Sequence, residues 1–121
     1  MYKPIVNSSE KSLLIAIPTN EGKTIFPKML GMARYFYIYT LTDDNQFTLV
    51  EKRPNPYEST MQHLKTFDVY TAINDCEIII AELTGKKGIG RLQEKGIKLF
   101  FRKDDIPEAL NSVFKDDQFH R

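Results

Sequence analysis

Residues 77–114 read EIIIAELTGKKGIGRLQEKGIKLFFRKDDIPEALNSVF, and this stretch decides the fold. The apolar runs Glu77–Ala81 and Ile97–Phe101 are typical of strands buried on both faces. Between them, Ile89–Lys95 is predicted to form a short helix that Gly96 ends in the left-handed C′ position. Strands that alternate with helices are joined by right-handed crossovers, so we expect this half of the chain to form parallel strands.

A further helix is predicted after the last of these strands. Asp105, Pro107 and Glu108 have the composition of a helix start. Four apolar residues then recur at the spacing of one helix face. They are Ile106, Leu110, Val113 and Phe114. The residues that follow are predicted to be a frayed C-terminal tail, residues 115–121.

The first half of the chain predicts antiparallel strands. Ser12–Pro18 is a continuous apolar run, typical of another buried strand. Tyr35–Leu41 and Phe47–Lys52 are predicted to form a hairpin, since a polar turn separates them. We expect Thr19–Ala33 to be a long, structured loop. Together the two halves predict an α/β fold, with a mixed sheet of about five strands and helices on its faces.

One helix is predicted between the hairpin and the parallel half. Arg53–Ser59 contains two prolines and is expected to be irregular. Ser59 and Gln62 have the spacing of a capping box, so a helix is predicted from Ser59 to about Asn74. We interpret residues 1–11 as a flexible lead-in and residues 12–114 as a single domain.

Composition excludes several classes of protein. The 121 residues are 41% hydrophobic with a net charge of +1, which excludes global disorder and argues against nucleic-acid binding. The longest aliphatic runs are far shorter than the roughly 18 residues of a membrane span. The start of the chain lacks the apolar segment of a secretory signal. The single cysteine, Cys76, cannot form an internal disulfide or a cysteine metal cage. We therefore expect a reduced, cytoplasmic protein without a membrane partner.

Four segments, in this order and spacing, resemble a known family. They are Leu13–Pro18, Leu30–Phe36 (LGMARYF), Asp75–Ile80 with Gly85 after it, and Leu92–Phe100 (LQEKGIKLF). They are similar to the dinitrogenase iron–molybdenum cofactor biosynthesis family, the NifX/NafY-like domains, from about Leu13 to Phe114. The resemblance implies a ribonuclease H-like three-layer fold with one antiparallel strand. It also implies a non-enzymatic carrier of an iron–molybdenum or other metal–sulfur cluster, acting with a client or donor protein.

The resemblance points to His63 as a metal ligand, because family members offer a histidine in that region. Neutral imidazole binds iron, copper or zinc, and the thioethers of Met32 and Met61 suit a sulfur-rich cluster. The alternative is a solvated histidine on a helix and methionines that fill gaps in a core. Cys76 begins a predicted buried strand, where a thiol is inert.

A second candidate site lies at the start of the predicted short helix. Gly85, Lys86, Lys87 and Arg91 combine exposed backbone N–H groups with positive charge, which together attract anions. The alternative is a solvated lysine-rich face. Lys103 is expected to lie away from this site.

Two functions remain open from the sequence. The first is the cluster carrier; the second is a protein-interaction or regulatory module that has lost its cluster site, which the absence of glycine from Ser59–Leu64 favours. Nuclease activity is not expected, because the first strand supplies no carboxylate for a metal. We expect a monomer or a weak homodimer.

Overall fold

The computed structural model describes residues 13–56, 72–82 and 86–120, without the side chains of 86–88 and of 120. Five strands and two helices follow one another along the chain. They are β1 (Leu14–Thr19), β2 (Tyr35–Leu41), β3 (Phe47–Pro54), β4 (Ile78–Ala81), α1 (Lys86–Glu94), β5 (Lys98–Phe101) and α2 (Ile106–Phe114). Short 3-10 turns cover Leu30–Met32 and Asp117–His120. The predicted helix from Ser59 lies outside the described residues, except that Ala72–Asp75 form a turn.

The sheet has the strand order β3-β2-β1-β4-β5. β2 is antiparallel to both β1 and β3, whereas β1, β4 and β5 are parallel. The predicted mixed five-stranded sheet is therefore confirmed, and β2 alone runs against the other four strands. β1, β3, β4 and β5 all finish at one end of the sheet, which we call the carboxyl end. This end gathers the loops that follow these four strands.

Both faces of the sheet are buried, because alternate side chains of the central strands point to opposite sides. Ile15, Ile17 and Ile80 pack with Leu110 and Val113 of α2, so we call this side the α2 face. The other side, the α1 face, buries a second set of side chains together with Leu92 of α1. That set includes Ala16, Leu30, Phe36, Ile38, Ile73, Cys76, Ile79 and Ile97. Continuous apolar runs therefore indicated doubly buried strands correctly.

The helix boundaries follow from local hydrogen bonds. Gly96 has a φ of +84° and donates to Gln93 O, while Ile97 N donates to Leu92 O over 3.1 Å. This pair of bonds is a Schellman motif, and it confirms the predicted stop of α1. The carboxylate of Asp105 accepts from Glu108 N over 3.0 Å, which confirms the predicted start of α2.

Three local predictions are wrong. α1 begins at Lys86 instead of Ile89, so part of the predicted turn is helical. β3 extends to Pro54, two residues beyond its predicted end at Lys52. Asn55 N donates towards the neighbouring strand, to Arg34 O. The ring nitrogen of Pro54 therefore points away from β2, to the open edge of the sheet, where no hydrogen-bond donor is needed. Residues 115–120 are not frayed, because Phe119 is 8% exposed and its ring lies 5.6 Å from that of Phe114.

None of the helices in the described residues is both long enough and apolar enough to cross a membrane.

Candidate functional site

The loop after β1 forms the largest described part of the carboxyl end. Thr24 and Asp105 form an isolated antiparallel β-bridge. On either side of it, Ile25 N donates to Asp104 O over 2.8 Å and Ile106 N donates to Lys23 O over 2.9 Å. These bonds tie the loop after β1 to the loop after β5. The prediction of a structured loop is therefore confirmed, and its bonds to the loop after β5 cross the ends of the parallel strands.

The carboxylate of Glu21 organises the first turn of this loop. Its Oε1 accepts from the backbone N–H groups of Lys23 and Thr24 at 3.2 and 3.0 Å, and from the Thr24 and Thr19 hydroxyls. Because these donors favour the charged form, they lower the pKa of Glu21 to about 2, against an ordinary value of 4.5. Thr19 is fully buried and donates to Thr24 O over 2.6 Å. The turn is therefore held by an ionised side chain at neutral pH.

Two asparagines fix the second half of the loop. The amide of Asn55, 6% exposed, donates to Gly31 O at 3.0 Å and to Ala33 O at 2.8 Å. The Asn20 side-chain oxygen accepts from Arg34 N over 2.9 Å. Asn55 directly follows β3, so the end of the hairpin is attached to the loop. The 3-10 turn is thereby held in one position.

This turn carries the two exposed methionines of the site. Met32 is 53% exposed and Met29 is 43% exposed, whereas Leu30 between them is buried in the α1 face. Leu30 anchors the turn, so the neighbouring thioethers face solvent at the carboxyl end. The alternative interpretation of Met32 as a core filler is wrong, and the neighbouring Met29 is exposed as well.

The predicted site residues meet different outcomes. His63, Met61 and Gly85 lie outside the described residues. Lys86 and Lys87 are the first two residues of α1, which begins within five residues of the carboxyl end of β4. The structure thus brings Met32 and the start of α1 to the same end of the sheet.

Arg91 and Lys103 are not where the sequence predicts them. Arg91 is exposed in the last turn of α1, five residues and about 7–8 Å along the axis from the helix start. It therefore does not surround the N-terminus of α1. Lys103 is the second residue after β5, so it lies at the carboxyl end and not away from it.

Cys76 is enclosed in the α1 face. It is 3% exposed, and burial raises the pKa of its thiol to about 12, with a further contribution from the charge of Asp75. The Arg53 guanidinium donates to both carboxylate oxygens of Asp75, at 2.9 and 3.2 Å, and to Glu51 Oε1 at 2.6 Å. Because these bonds favour the charged forms, they lower the pKa values of both the Asp75 and the Glu51 carboxyl groups. The prediction that Cys76 is buried is confirmed, and the raised pKa of its thiol favours the predicted low reactivity.

No group of three or more histidine, cysteine, aspartate or glutamate side chains among the described residues is arranged to hold a metal ion. Met29 and Met32 carry thioethers, which that count does not include. The described part of the candidate site is therefore an exposed thioether surface at the end of the sheet where α1 also starts, and it is not a cage of charged ligands.

Sequence reasoning missed the residues that hold the site together. Asn55 lies between Pro54 and Pro56, neither of which has a backbone N–H group. An amide side chain between two prolines was the feature of the sequence that could have indicated its role. Glu21 offered a weaker signal, a carboxylate three residues before Thr24 in a loop.

The sequence matches a protein family along most of its length. The family model described as dinitrogenase iron-molybdenum cofactor matches residues 11–116. The chain belongs to this family. The match confirms the resemblance inferred from the four segments and associates the chain with the iron–molybdenum cofactor. None of the curated proteins compared with the chain matches it.

Solved structures with the same fold agree with the family match. The apo form of the orange protein from Desulfovibrio gigas has a TM-score of 0.67 and 17% identity, with 86% of this chain and 88% of that chain covered. TM1290 from Thermotoga, provisionally named a NifB protein, has a TM-score of 0.60 and 20% identity, with 85% and 88% covered. PH0822 has a TM-score of 0.65 and 18% identity, with 83% and 88% covered. At these identities the likeness shows the fold alone.

Proposed function

We propose that this protein is a non-enzymatic carrier that binds an anionic metal–sulfur cluster at the carboxyl end of its sheet and transfers it to a client protein. The observation that carries the proposal is the exposure of Met29 and Met32 on a loop that is held in position at the same end of the sheet as the start of α1. Thioethers are soft ligands and suit a sulfur-rich surface. The family membership supports an iron–molybdenum or related cluster as the cargo.

The start of α1 supplies the second half of the proposed site. The first N–H groups of a helix have no partner within the helix, and they carry a partial positive charge. Lys86 and Lys87 add charge that does not depend on fixed geometry. An anionic cluster would therefore contact thioethers on one side and the helix start on the other. His63 and Met61 remain proposed ligands from outside the described residues, and Gly85 a proposed part of the anion site.

The fold supports this role without implying catalysis. We propose the ribonuclease H-like three-layer arrangement, supported by the strand order with β2 reversed and by helices on both faces. Nuclease chemistry in such a fold needs converging carboxylates, and β1 contains none. We further propose a cytoplasmic location, with a nitrogenase-related client or donor protein as partner.

Anaerobic titration with tetrathiomolybdate, followed by visible absorption, tests the cluster site. The protein should bind this coloured anion saturably and with strong salt dependence. Replacing Lys86 and Lys87 together by alanine should weaken binding about tenfold, equivalent to ~1.4 kcal/mol. Replacing Met29 and Met32 together by leucine, which preserves size, should also weaken it.

Lys115→Ala is the matched control, because Lys115 is exposed at the far end of α2, away from the carboxyl end. Equal losses in the Lys115 variant and the Lys86/Lys87 variant would indicate diffuse attraction to a basic surface. Absence of saturable binding would favour the alternative, an interaction or regulatory module on the same fold without a cluster site.

A further inference from the structure

The 3-10 turn in the loop after β1 carries a methionine at each end. Met32 N donates to Met29 O over 3.0 Å, and Ala33 N donates to Leu30 O over 3.4 Å. Residues three apart in a 3-10 turn lie one above the other, about 6 Å apart along the axis. Met29 and Met32 are both exposed. Their two side chains therefore start from neighbouring positions on the same turn and reach solvent there.

The backbone beneath the two methionines is held in place. Leu30 is 3% exposed and packs on the α1 face. The Asn55 amide donates to Gly31 O and to Ala33 O. A methionine side chain has three rotatable bonds, so each sulfur is able to adjust its position above this fixed backbone. The two thioethers can thus converge on one ion without movement of the turn.

The turn offers soft donor atoms in place of hard ones. Residues 29–33 contain no carboxylate, hydroxyl or imidazole group. Most of the carbonyl oxygens of the turn already accept protein hydrogen bonds, namely those of Met29, Leu30, Gly31 and Ala33. Thioether sulfur is therefore the main donor that the turn presents to solvent. Such sulfur selects Cu(I) over ions that prefer oxygen, such as Mg²⁺ and Ca²⁺.

The charges beside the turn restrict the ion further. Lys28 directly precedes Met29, and Arg34 directly follows Ala33. Both side chains repel cations, and at a given distance the repulsion is twice as large for a divalent ion as for a monovalent one. The two thioethers are neutral and do not offset it. A soft monovalent ion therefore fits this pair better than Zn²⁺ does.

We propose that Met29 and Met32 together bind a soft monovalent metal ion, Cu(I), through their two thioether sulfurs. The ligands are neutral before and after binding, so the ion binds without releasing a proton and without changing its oxidation state. The site goes beyond the cluster-carrying role and does not rest on it, because it needs only the two thioethers and not the start of α1.

Ag(I) is the probe, because it has the charge of Cu(I) and its preference for thioethers but is stable in air. The protein is labelled with ¹³C at its methionine methyl groups and followed by NMR in a chloride-free buffer. One equivalent of Ag(I) should shift the Met29 and Met32 signals together. The same amount of Zn²⁺ should shift neither. In Cys76→Ala, which removes the single thiol of the chain, Ag(I) should still produce both shifts.

Single methionine variants show whether the two sulfurs act together. Two ligands on one short turn raise each other's effective concentration, so Met29→Leu and Met32→Leu should each weaken Ag(I) binding about a hundredfold. Met61→Leu is the matched control, because it makes the same change outside the turn, and it should leave the affinity unchanged. Competition with the chelator bicinchoninate, under anaerobic reducing conditions, should rank the variants in the same order for Cu(I).

The sign of the charge effect separates this site from an anion site. Lys28→Gln removes one positive charge next to the pair, so it should strengthen Ag(I) binding about twofold at low salt. Lys115→Gln removes an exposed positive charge at the far end of α2 and should leave Ag(I) binding unchanged. Thermal unfolding of each variant checks that it is folded.

Four outcomes contradict the proposal. The first is the absence of methyl shifts with one equivalent of Ag(I), and the second is their loss in folded Cys76→Ala. The third is weakening by only one of Met29→Leu and Met32→Leu, or equal weakening by Met61→Leu. The fourth is weaker Ag(I) binding by Lys28→Gln than by the wild type.

Discussion

Gly22, in the loop after β1, provides a quantitative test of how the carboxyl end is held. Its φ is +86°, and a Cβ built on it would lie 2.6 Å from Cε2 and from the hydroxyl oxygen of Tyr37. The Tyr37 ring packs edge-on against Tyr35 at 6.3 Å between centroids, and Lys52 Nζ lies 5.6 Å from its centre. Any side chain at Gly22 therefore strains the backbone and displaces the ring.

Gly22→Ala should destabilise the protein by about 2–4.5 kcal/mol. The left-handed backbone contributes about 1–2 kcal/mol for alanine. Displacing the ring forfeits the aromatic pair, about 0.5–1.5 kcal/mol, and the cation–π contact, about 0.5–1 kcal/mol. Urea denaturation, with unchanged slope of unfolding free energy against urea, measures the difference.

Two other glycines are matched controls for the same substitution. Gly96 has a φ of +84° but free space around its Cβ position, so Gly96→Ala should cost only the backbone strain, about 1–2 kcal/mol. Gly90 is inside α1 with free space and a helical backbone, so Gly90→Ala should stabilise the protein by about 0.5–1 kcal/mol.

A double-mutant cycle isolates the contribution of the ring. In a Tyr37→Ala background the cost of Gly22→Ala should fall to that of Gly96→Ala, because the obstacle is gone. If Gly22→Ala and Gly96→Ala cost the same with Tyr37 intact, the close approach of Gly22 to Tyr37 carries no free energy and the reasoning is refuted.

Three further predictions concern Asn55, Glu21 and Cys76. Asn55→Ala leaves two carbonyls without their donor and should cost about 1–3 kcal/mol, with faster hydrogen exchange at residues 29–33 and unchanged exchange in β5; unchanged exchange in the loop would contradict the anchoring role. Glu21→Gln should be less stable than the wild type at neutral pH. Since folding lowers the pKa of Glu21, its contribution is present above about pH 4.5 and is lost as the pH falls towards about 2. If the unfolding free energies of the wild type and of Glu21→Gln differ by the same amount throughout this pH range, the prediction is refuted. Cys76 should resist alkylation by iodoacetamide at mildly alkaline pH until urea unfolds the chain, because its thiol pKa is about 12; rapid labelling of the folded protein would show that it is accessible.

Sequence patterns predicted the sheet well because its strands carry their signal locally. The apolar runs of β1 and β4 indicated burial on both faces, and both faces of these strands are buried. The irregularity in the hairpin had no such signal. Ile38 pairs with Glu51 but Tyr39 pairs with Leu49, so one residue of β3 is left over. Such a bulge depends on the partner strand as much as on its own sequence.

The candidate site was only partly predictable, because long-range contacts hold it. Asn55 anchors Gly31 across 24 residues, and no local pattern around either residue specifies the other. Phe119 was missed for a similar reason: its polar neighbours suggest a solvated end, yet Phe47 and Phe114 provide it with an aromatic pocket. The exposure of Met32 likewise depends on the burial of its neighbour Leu30, which packs on the α1 face.

The bonds from the loop after β1 to Asp104 and Ile106 also set an order of events during synthesis. Ile25 emerges from the ribosome long before Asp104, its hydrogen-bond partner. At the usual 5–20 residues per second, the intervening chain takes about 4–16 s to make. Until Asp104 and Ile106 have been made, the first half of the loop after β1 lacks its bonds to the loop after β5, whereas Asn55 is already available to hold the turn that carries Met32. For the proposed cluster carrier, loading at this end of the sheet would follow synthesis of the loop after β5, because a product truncated before Asp104 lacks the bonds that fix the start of the loop after β1.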